Sequence, residues 1–509
     1  MALNVYENCK DYNIVSFLKR SVELYGNHPI AIIKNESDIT PISYNEFFSE
    51  VVMGAEQIAS TVGKGHNIAV CGRFDYSFML AFFQILFSEN IVVSLDIQQP
   101  DEVIRRNIRK ADVHYYLSEV KQNNALTELA EKIDINTESE DIAEEYAEKT
   151  IDPEKTALII FTSGTETEPK AVALSHKNIL SNIFYSMKII GLENFTYEDR
   201  IVSILPTFHM FQLVTGFLTP IGFGVANCFV AKEYELIKSF RIFEPKVLIA
   251  VPEVLKSFRK VISVSMNNDP KLLFGKNLNI VVCGGAFCPA ELLEWYDSIG
   301  IDIQYGYGIT ECSPVISCSL PDNKIDGSVG IPDDRYCSVS VSEDNEILVK
   351  GEGVFQGYWE ETALEPYRSD DGWYHTGDIG HIDENGKLFV TGRKKNVLVL
   401  ENGNNVLPEE LEVSVEKYEY VNEALVYIYE NHQLEMLGCD VVMNDSFYED
   451  LSEDEQKSFV EKIKNEVNKE QPKYKKLSVI RCVKTPFIRN KVGKILRYKY
   501  LTERGRLIE

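Results

Sequence analysis

Ten cysteines are scattered through the chain with no C-x-x-C pair and no histidine at metal-ligand spacing from any of them. This pattern signals neither a zinc site nor a disulfide framework, and it suits the reducing cytoplasm. Positive charge is scarce as well: 52 Lys and Arg against 78 Asp and Glu give a formal net charge of −26. A chain this acidic is not, as a whole, a nucleic-acid binder or one drawn to an anionic membrane, so an anionic ligand has to be met by a local basic patch. The opening MALNVYENCKDYNIV lacks the basic n-region and unbroken apolar run of a signal peptide, and a cytoplasmic location is expected. One stretch, Ile201 to Ala231, has no Asp, Glu, Lys or Arg and is long enough to cross a bilayer. It also holds Pro206, Pro220, Gly216, Gly222, Gly224, His209, Gln212 and Asn227, which disfavours a transmembrane segment. A buried helix, a turn near Gly222 to Gly224 and then a strand is the better reading.

What is present is ample length and apolar content. A chain of 509 residues with 44% hydrophobic content should divide into several folding units. The first 150 residues alternate helical and strand signals: a helix over 13–24, a strand at 31–34, a helix over 44–59, then strand, buried helix and strand at 67–72, 77–87 and 90–96. That alternation predicts a parallel sheet with helices on its faces. TALIIFTSGT at 156–165 runs an apolar strand into a polar loop, and KVLIAVP (246–252) and NIVVCGGA (279–286) repeat the strand-to-turn pattern. From Gly327 the runs shorten and alternate, with Asn385-Gly386 as a hairpin signal, so this part is expected to be antiparallel, a small barrel or sheet beside the α/β body. Residues 394–509 mix helical runs such as LPEELEVSVEKY with the strands EALVYIYE and EMLGCDVVM. The expected layout is therefore an α/β domain over 1–393, with its β-barrel-like subdomain, followed by a small α+β domain over 394–509. The tail from Lys473 to Arg506 carries twelve Lys or Arg and a single acid, Glu503.

Chemistry-bearing residues occur in separated groups. Thr162, Ser163, Gly164 and Thr165 form a small hydroxyl-rich turn whose backbone amides could converge on phosphate oxygens, and Lys170 adds a mobile positive charge. Taken alone, a polar loop after a strand is only a loop. In GYGITEC at 306–312, Tyr307 between Gly306 and Gly308 could lie against a flat base, Thr310 could donate to a phosphate, and Glu311 could hold Mg²⁺. Asp378 in HTGDIG could accept from ribose hydroxyls, Arg393 and Lys395 stand in GRKKN, and Lys494 follows Gly493 in FIRNKVGKILR.

In this order and spacing the groups resemble the adenylate-forming superfamily of acyl-CoA synthetases, luciferases and peptide-synthetase adenylation domains. The resemblance runs from Ser43-Tyr44-Asn45-Glu46, similar to the family's TYxE segment, to Arg497. It implies that a carboxylate attacks the α-phosphate of ATP, pyrophosphate leaves, and a thiol captures the acyl-adenylate. It also implies roles: Thr162, Ser163, Gly164, Thr165 and Lys170 in the phosphate loop; Gly284, Gly285 and Ala286 beside the adenine; Tyr307 stacked on the base; Thr310 on a phosphate; Glu311 on Mg²⁺. Asp378 and Arg393 become the ribose pair, Lys395 the hinge, Lys494 the lysine bridging carboxylate and α-phosphate, and Gly403 part of the pantetheine path. Four positions depart from the pattern. Glu166, Thr167 and Ala171 alter TSGTTGxPKG, and Ile488 stands where the family usually has proline.

LPTFHMFQLVTG at 205–216 looks like the LPxFHxFG segment of acyl and aryl CoA ligases, and His209 in it could contact the substrate carboxylate or be a satisfied core histidine. The apolar run that follows favours a fatty acid over an amino acid. CoA is the expected thiol acceptor, with an acyl or peptidyl carrier protein as the alternative, since the basic tail suits either. A binding protein on the same scaffold, impaired in catalysis, is the other class left open by the altered phosphate loop.

Overall fold

Ser43 shows how local chemistry starts an element. Its hydroxyl accepts from the backbone N–H of Glu46, and the Glu46 carboxylate accepts from the Ser43 N–H at 2.8 Å. That capping box opens the helix Tyr44–Val62, whose buried stripe includes Tyr44, Phe47, Val51 and Ile58. The stretch read as a family segment is thus a helix start. Ser175 and Asn178 open the helix His176–Ile190 in the same way.

The computed structural model describes residues 13–35, 38–117, 123–135, 150–162, 169–191, 195–230, 235–320, 327–401, 404–418, 420–431, 434–444, 451–490, 494–502 and 504–508. By their internal contacts these fall into two compact units. The first takes in the described chain up to Val339 together with Val349–Tyr374; the second takes in Ser340–Leu348 and His375 onward.

Two eight-stranded sheets organise the first unit. In spatial order the strands of one are Val315–Cys318, Asp302–Gly308, Ile280–Cys283, Val247–Ala250, Arg200–Ser203, Ala226–Val230, Pro29–Lys34 and Ile39–Ser43. Its centre is parallel as expected, but both edge pairs are antiparallel. The other sheet runs Ala363–Pro366, Gly357–Glu360, Ala171–Ser175, Thr156–Phe161, Ile91–Leu95, Asn67–Cys71, Val113–Tyr116 and Glu131–Lys132. Here the expectation needs correction. Residues 357–366, assigned to the small antiparallel part, form a hairpin that extends this sheet, with Tyr358 paired to Val172 and Gly357 to Ala173. The local alternation that marks a strand does not say which sheet edge it will meet.

The charge-free stretch resolves into the strand Arg200–Ser203, helical turns over Gln212–Leu218 and Thr219–Phe223 that end at left-handed Gly224, and the strand Ala226–Val230. Phe217 from these turns packs among Phe74, Phe82 and Phe83, with ring centroids 5.1 to 5.9 Å away, a buried aromatic core. Among the described residues no helix is long and apolar enough to cross a membrane.

In the second unit, the strands Tyr374–Ile382 and Leu388–Arg393 pair antiparallel around the Asn385-Gly386 turn, where Gly386 takes a φ of 80°. They belong to a four-stranded sheet with Cys337–Val341 and Glu346–Gly351. Farther on, the strands Val421–Asn431, Leu434–Met443 and Leu477–Val483 form a three-stranded sheet, and Leu411 and Val415 of the helix Pro408–Glu416 share its core with Val426, Val441 and Ile463.

Candidate functional site

In the first unit, the parallel strands Val247–Ala250, Ile280–Cys283 and Asp302–Gly308 end side by side, and the chain leaves them in short turns. Such carboxyl ends are where open α/β sheets present ligand crevices. Gly284 leaves the second strand so close to the third that a Cβ there would lie 3.2 Å from the Gly306 carbonyl oxygen and 3.7 Å from the Phe211 ring. Gly285 takes a φ of 82°. The Tyr305 hydroxyl, buried within the sheet, fixes the turn by accepting from the Cys288 N–H at 3.2 Å and donating to the Ala286 carbonyl at 3.3 Å. Tyr307 is half-buried and pairs with Ser317 across the edge. A Cβ at Gly308 would stand 2.1 Å from the Pro314 carbonyl oxygen, so only glycine fits there.

Thr310 and Glu311 open a 3₁₀ turn, Thr310–Cys312, directly after this strand. The Glu311 carbonyl accepts from the Phe355 N–H at 2.8 Å, and its carboxylate accepts from the Tyr358 hydroxyl at 3.3 Å. The Lys170 ammonium lies 5.1 Å from the centre of the Tyr358 ring. Tyr358 thus joins two residues that the sequence reading named separately. The strand Gly357–Glu360 carries it there by pairing with Ala171–Ser175. Tyr374 lies against the same group; burial, then Glu311 and Tyr358, push its phenol well above the ordinary tyrosine range.

The ends of the expected phosphate loop are pinned together: the Thr162 N–H donates to the Lys170 carbonyl at 3.0 Å, and the Lys170 N–H donates to the Thr162 hydroxyl at 3.1 Å. Ser163, Gly164, Thr165, Glu166 and Thr167 lie outside the described residues, as do Gly403 and Gly493. Ala171 is fully buried in a strand, in a cluster with Ala69, Val93 and Ile159, so its methyl is core packing. His209 is 9% exposed, with its ring tilted on Phe208 at 4.8 Å. The neighbouring Thr207 donates to the Gly72 carbonyl at 2.9 Å, which ties this stretch to the end of a strand in the other sheet.

Asp378 and Arg393 stand directly opposite each other in the second unit, and the Arg393 Nε meets the Asp378 carboxylate at 2.7 Å. Lys494, about a hundred residues on in sequence, is brought to the same place. Burial and the positive charges of Arg393 and Lys395 lower its pKa, while Asp378 works against them. Its backbone is clasped by Asn490, whose N–H donates to the Lys494 carbonyl at 2.8 Å and whose side chain accepts from the Lys494 N–H at 2.9 Å. Ile488 has a role here that proline could not fill, since its N–H donates to the Tyr500 hydroxyl at 2.7 Å.

Several of these supports were invisible in the sequence. Lys394, beside the expected hinge residue Lys395, bridges Asp344 at 2.6 Å and Glu346 at 2.9 Å and is raised to about 12 by those bonds. In the basic tail, Lys475 pairs with Glu410, Arg481 with Asp440, Arg489 with Glu423, Arg497 with Glu412 and Arg506 with Glu435. Much of that charge is therefore answered within the tail's own unit. The glutamates of LPEELE were a signal of sorts, but spacing alone cannot match partners 85 positions apart.

A family model described as AMP-binding enzyme matches residues 18–359. Among curated proteins, a long-chain-fatty-acid–CoA ligase of Mycobacterium bovis is 28% identical over 349 residues, covering 60% of this chain and 57% of that protein. One from Salmonella typhimurium is 29% identical over 290 residues, covering 55% and 51%. The chain thus matches a little over half the length of these relatives. Among solved structures, an O-succinylbenzoate coenzyme A synthetase from Bacillus subtilis in complex with AMP superposes with a TM-score of 0.77 at 21% identity, covering 97% of this chain and 99% of that one. The same enzyme with ATP and magnesium gives 0.77 at 22%, covering 95% and 98%. These establish the same fold, and with the family model covering well over half of the sequence, the chain belongs to the AMP-binding enzyme family.

Proposed function

We propose that the chain is an AMP-forming acid–thiol ligase that activates a carboxylic acid with ATP and passes the acyl group to CoA. The observation that carries this reading is the gathering of Lys494 with Asp378 and Arg393 in one compact unit. A carboxylate is already ionised at neutral pH, so the first step needs no general base. It needs positive charge where two anions meet. Lys494 would supply it as a carboxylate oxygen bonds to the α-phosphorus of ATP and the bond to pyrophosphate breaks. In the second step the CoA sulfur, its thiol proton lost to solvent, bonds to the acyl carbon as the bond from that carbon to the phosphate oxygen breaks and AMP leaves.

Tyr307 and the Gly284 to Ala286 turn would hold the base, Asp378 and Arg393 the ribose, and Thr162, Lys170 and Thr310 the phosphates. Glu311 and Thr310 offer oxygen donors only, which suits Mg²⁺. Mg²⁺ is commonly held by one or two carboxylates together with its substrate's phosphates, a role Glu311 would fill here. That ion would neutralise charge on the triphosphate. A fatty acid is the favoured substrate, on the strength of the apolar stretch after His209 and the curated relatives.

We further propose that residues 394–509 move as a domain about Lys395, presenting Lys494 for adenylation and the Gly403 loop for thiol transfer. Lys395→Pro is then expected to impair thioester formation more than adenylation, and equal loss of both would sink that division of labour.

Isotope exchange between ATP and pyrophosphate, run across fatty, aryl and amino acids with CoA then added, tests the reading. Exchange with a fatty acid followed by CoA-dependent thioester is the expected result. Exchange without transfer to CoA would redirect the second step to a carrier protein. ATP binding without exchange for any acid would overturn the ligase.

A further inference from the structure

Residues 236–276 carry eight Lys or Arg against three acids, a net +5 within a chain of −26, so the remaining sequence stands at −31. Three helices hold this segment: Leu236–Phe243, Pro252–Ser265 and Lys271–Phe274. Their inner sides meet on Phe240, Phe258 and Phe274, whose ring centroids lie 5.2 to 6.0 Å apart. Their outer sides expose aliphatic residues: Ile237 and Ile242 on the first, Val261 and Val264 on the second, and Leu272 on the third, with Val264 at 79% exposure. Lys238, Arg241, Lys260 and Lys271 are exposed beside them and have no ion-pair partner among the described residues. This is the reverse of the basic tail, where the chain's own carboxylates answer the arginines.

Exposed aliphatic side chains interleaved with unanswered cations fit one occupant best, and we propose that this face docks on an anionic phospholipid bilayer. The lysines and arginine would meet lipid phosphates while Ile237, Ile242, Val261, Val264 and Leu272 enter the acyl boundary. A protein partner is less well matched, because protein interfaces draw much of their energy from aromatic anchors seated in pockets, and the exposed apolar residues here are all aliphatic. The nearby cavity of about 490 Å³ is lined by Lys246, Asp297 and Asp302 among others, and by none of these five aliphatics. The acidity of the remaining sequence does not forbid docking, since charges more than about 8 Å from the membrane are largely screened at physiological salt.

The test is sedimentation of the full chain with vesicles of phosphatidylcholine, with and without phosphatidylglycerol, at low and high salt. Binding is expected only to the vesicles containing phosphatidylglycerol and should weaken with salt. The double variant Lys238→Glu, Lys271→Glu should lower the partition coefficient about 25-fold or more, near fivefold for each lysine lost. Val264→Asp should also lower it. An unchanged unfolding midpoint would show that these surface variants remain folded. Equal binding to both vesicle types, no binding to either, or binding that the variants leave unchanged would overturn the proposal. So would capture of an acidic protein, or self-association through this face, by a chain that ignores vesicles.

Discussion

Lys494 and Arg497 are three residues apart on one tail and sit in opposite electrical surroundings. Lys494 is gathered with two other cations, Arg393 and Lys395, and its proton is held less tightly than an ordinary lysine's. Arg497, nearly buried, lies between Glu412 and Glu409; burial opposes its charge, but the two carboxylates more than offset this and raise its pKa. The same two glutamates reach farther. Glu412 accepts from the Val426 N–H at 2.7 Å, and Glu409 accepts from Asn396, in the expected hinge, at 2.6 Å. A cation that its neighbours repel is poised to be answered by an incoming anion, whereas one already answered on two sides fastens the tail to its domain. The difference separates the residue proposed to work in adenylation from one that anchors the tail.

Substitution should split the two. Arg497→Met is expected to have the largest effect, a loss of about 3 to 5 kcal/mol in stability, because it strands buried carboxylates without their partner; denaturant unfolding measures it. Lys494→Ala should barely move the unfolding midpoint yet raise the adenylation barrier by about 3 to 4 kcal/mol, read as pyrophosphate exchange. Unimpaired exchange in that variant would remove Lys494 from the chemistry. The comparison also predicts a pH limb. With its pKa lowered, Lys494 loses its proton below the usual lysine range, so kcat/KM for adenylation should fall on the alkaline side earlier than an ordinary lysine would allow. For stability the sign is opposite: charging this lysine in the folded chain is unfavourable at lower pH, and that cost fades as pH rises toward the unfolded-state value. The smallest effect is expected for Tyr358→Phe, which deletes one hydroxyl bond to Glu311, about 1 kcal/mol, visible as weaker dependence on Mg²⁺ and ATP.

Much of the frame was legible because apolar runs declare themselves. The strands at 67–71, 247–250 and 280–283, the helix from Tyr44, the hairpin at Asn385-Gly386 and the return of the charge-free stretch as helical turns and strand all follow from periodicity and turn chemistry. The edge hairpin 357–366 was misplaced because its partner strand, Ala171–Ser175, lies far back in sequence. The same reason hid Tyr358, Lys394 and the Arg497 anchors. Each is defined by a partner on another element, and no local rule reports it. Residues whose roles were argued from type and order, such as Lys494, Asp378 and Arg393, were easier to name, and the fold brings these three together.

The capping box at Ser43 and Glu46 has a consequence for judging related chains. A segment that resembles a family motif invites the conclusion that it serves the family's reaction, yet here two of its members satisfy the open end of a helix. A descendant that had abandoned catalysis would still be held to that pair by the need to fold. Presence of the segment is thus a mark of architecture. Under the proposed function, diagnosis of a living or a silent enzyme would rest on Lys494, whose replacement is expected to spare the fold.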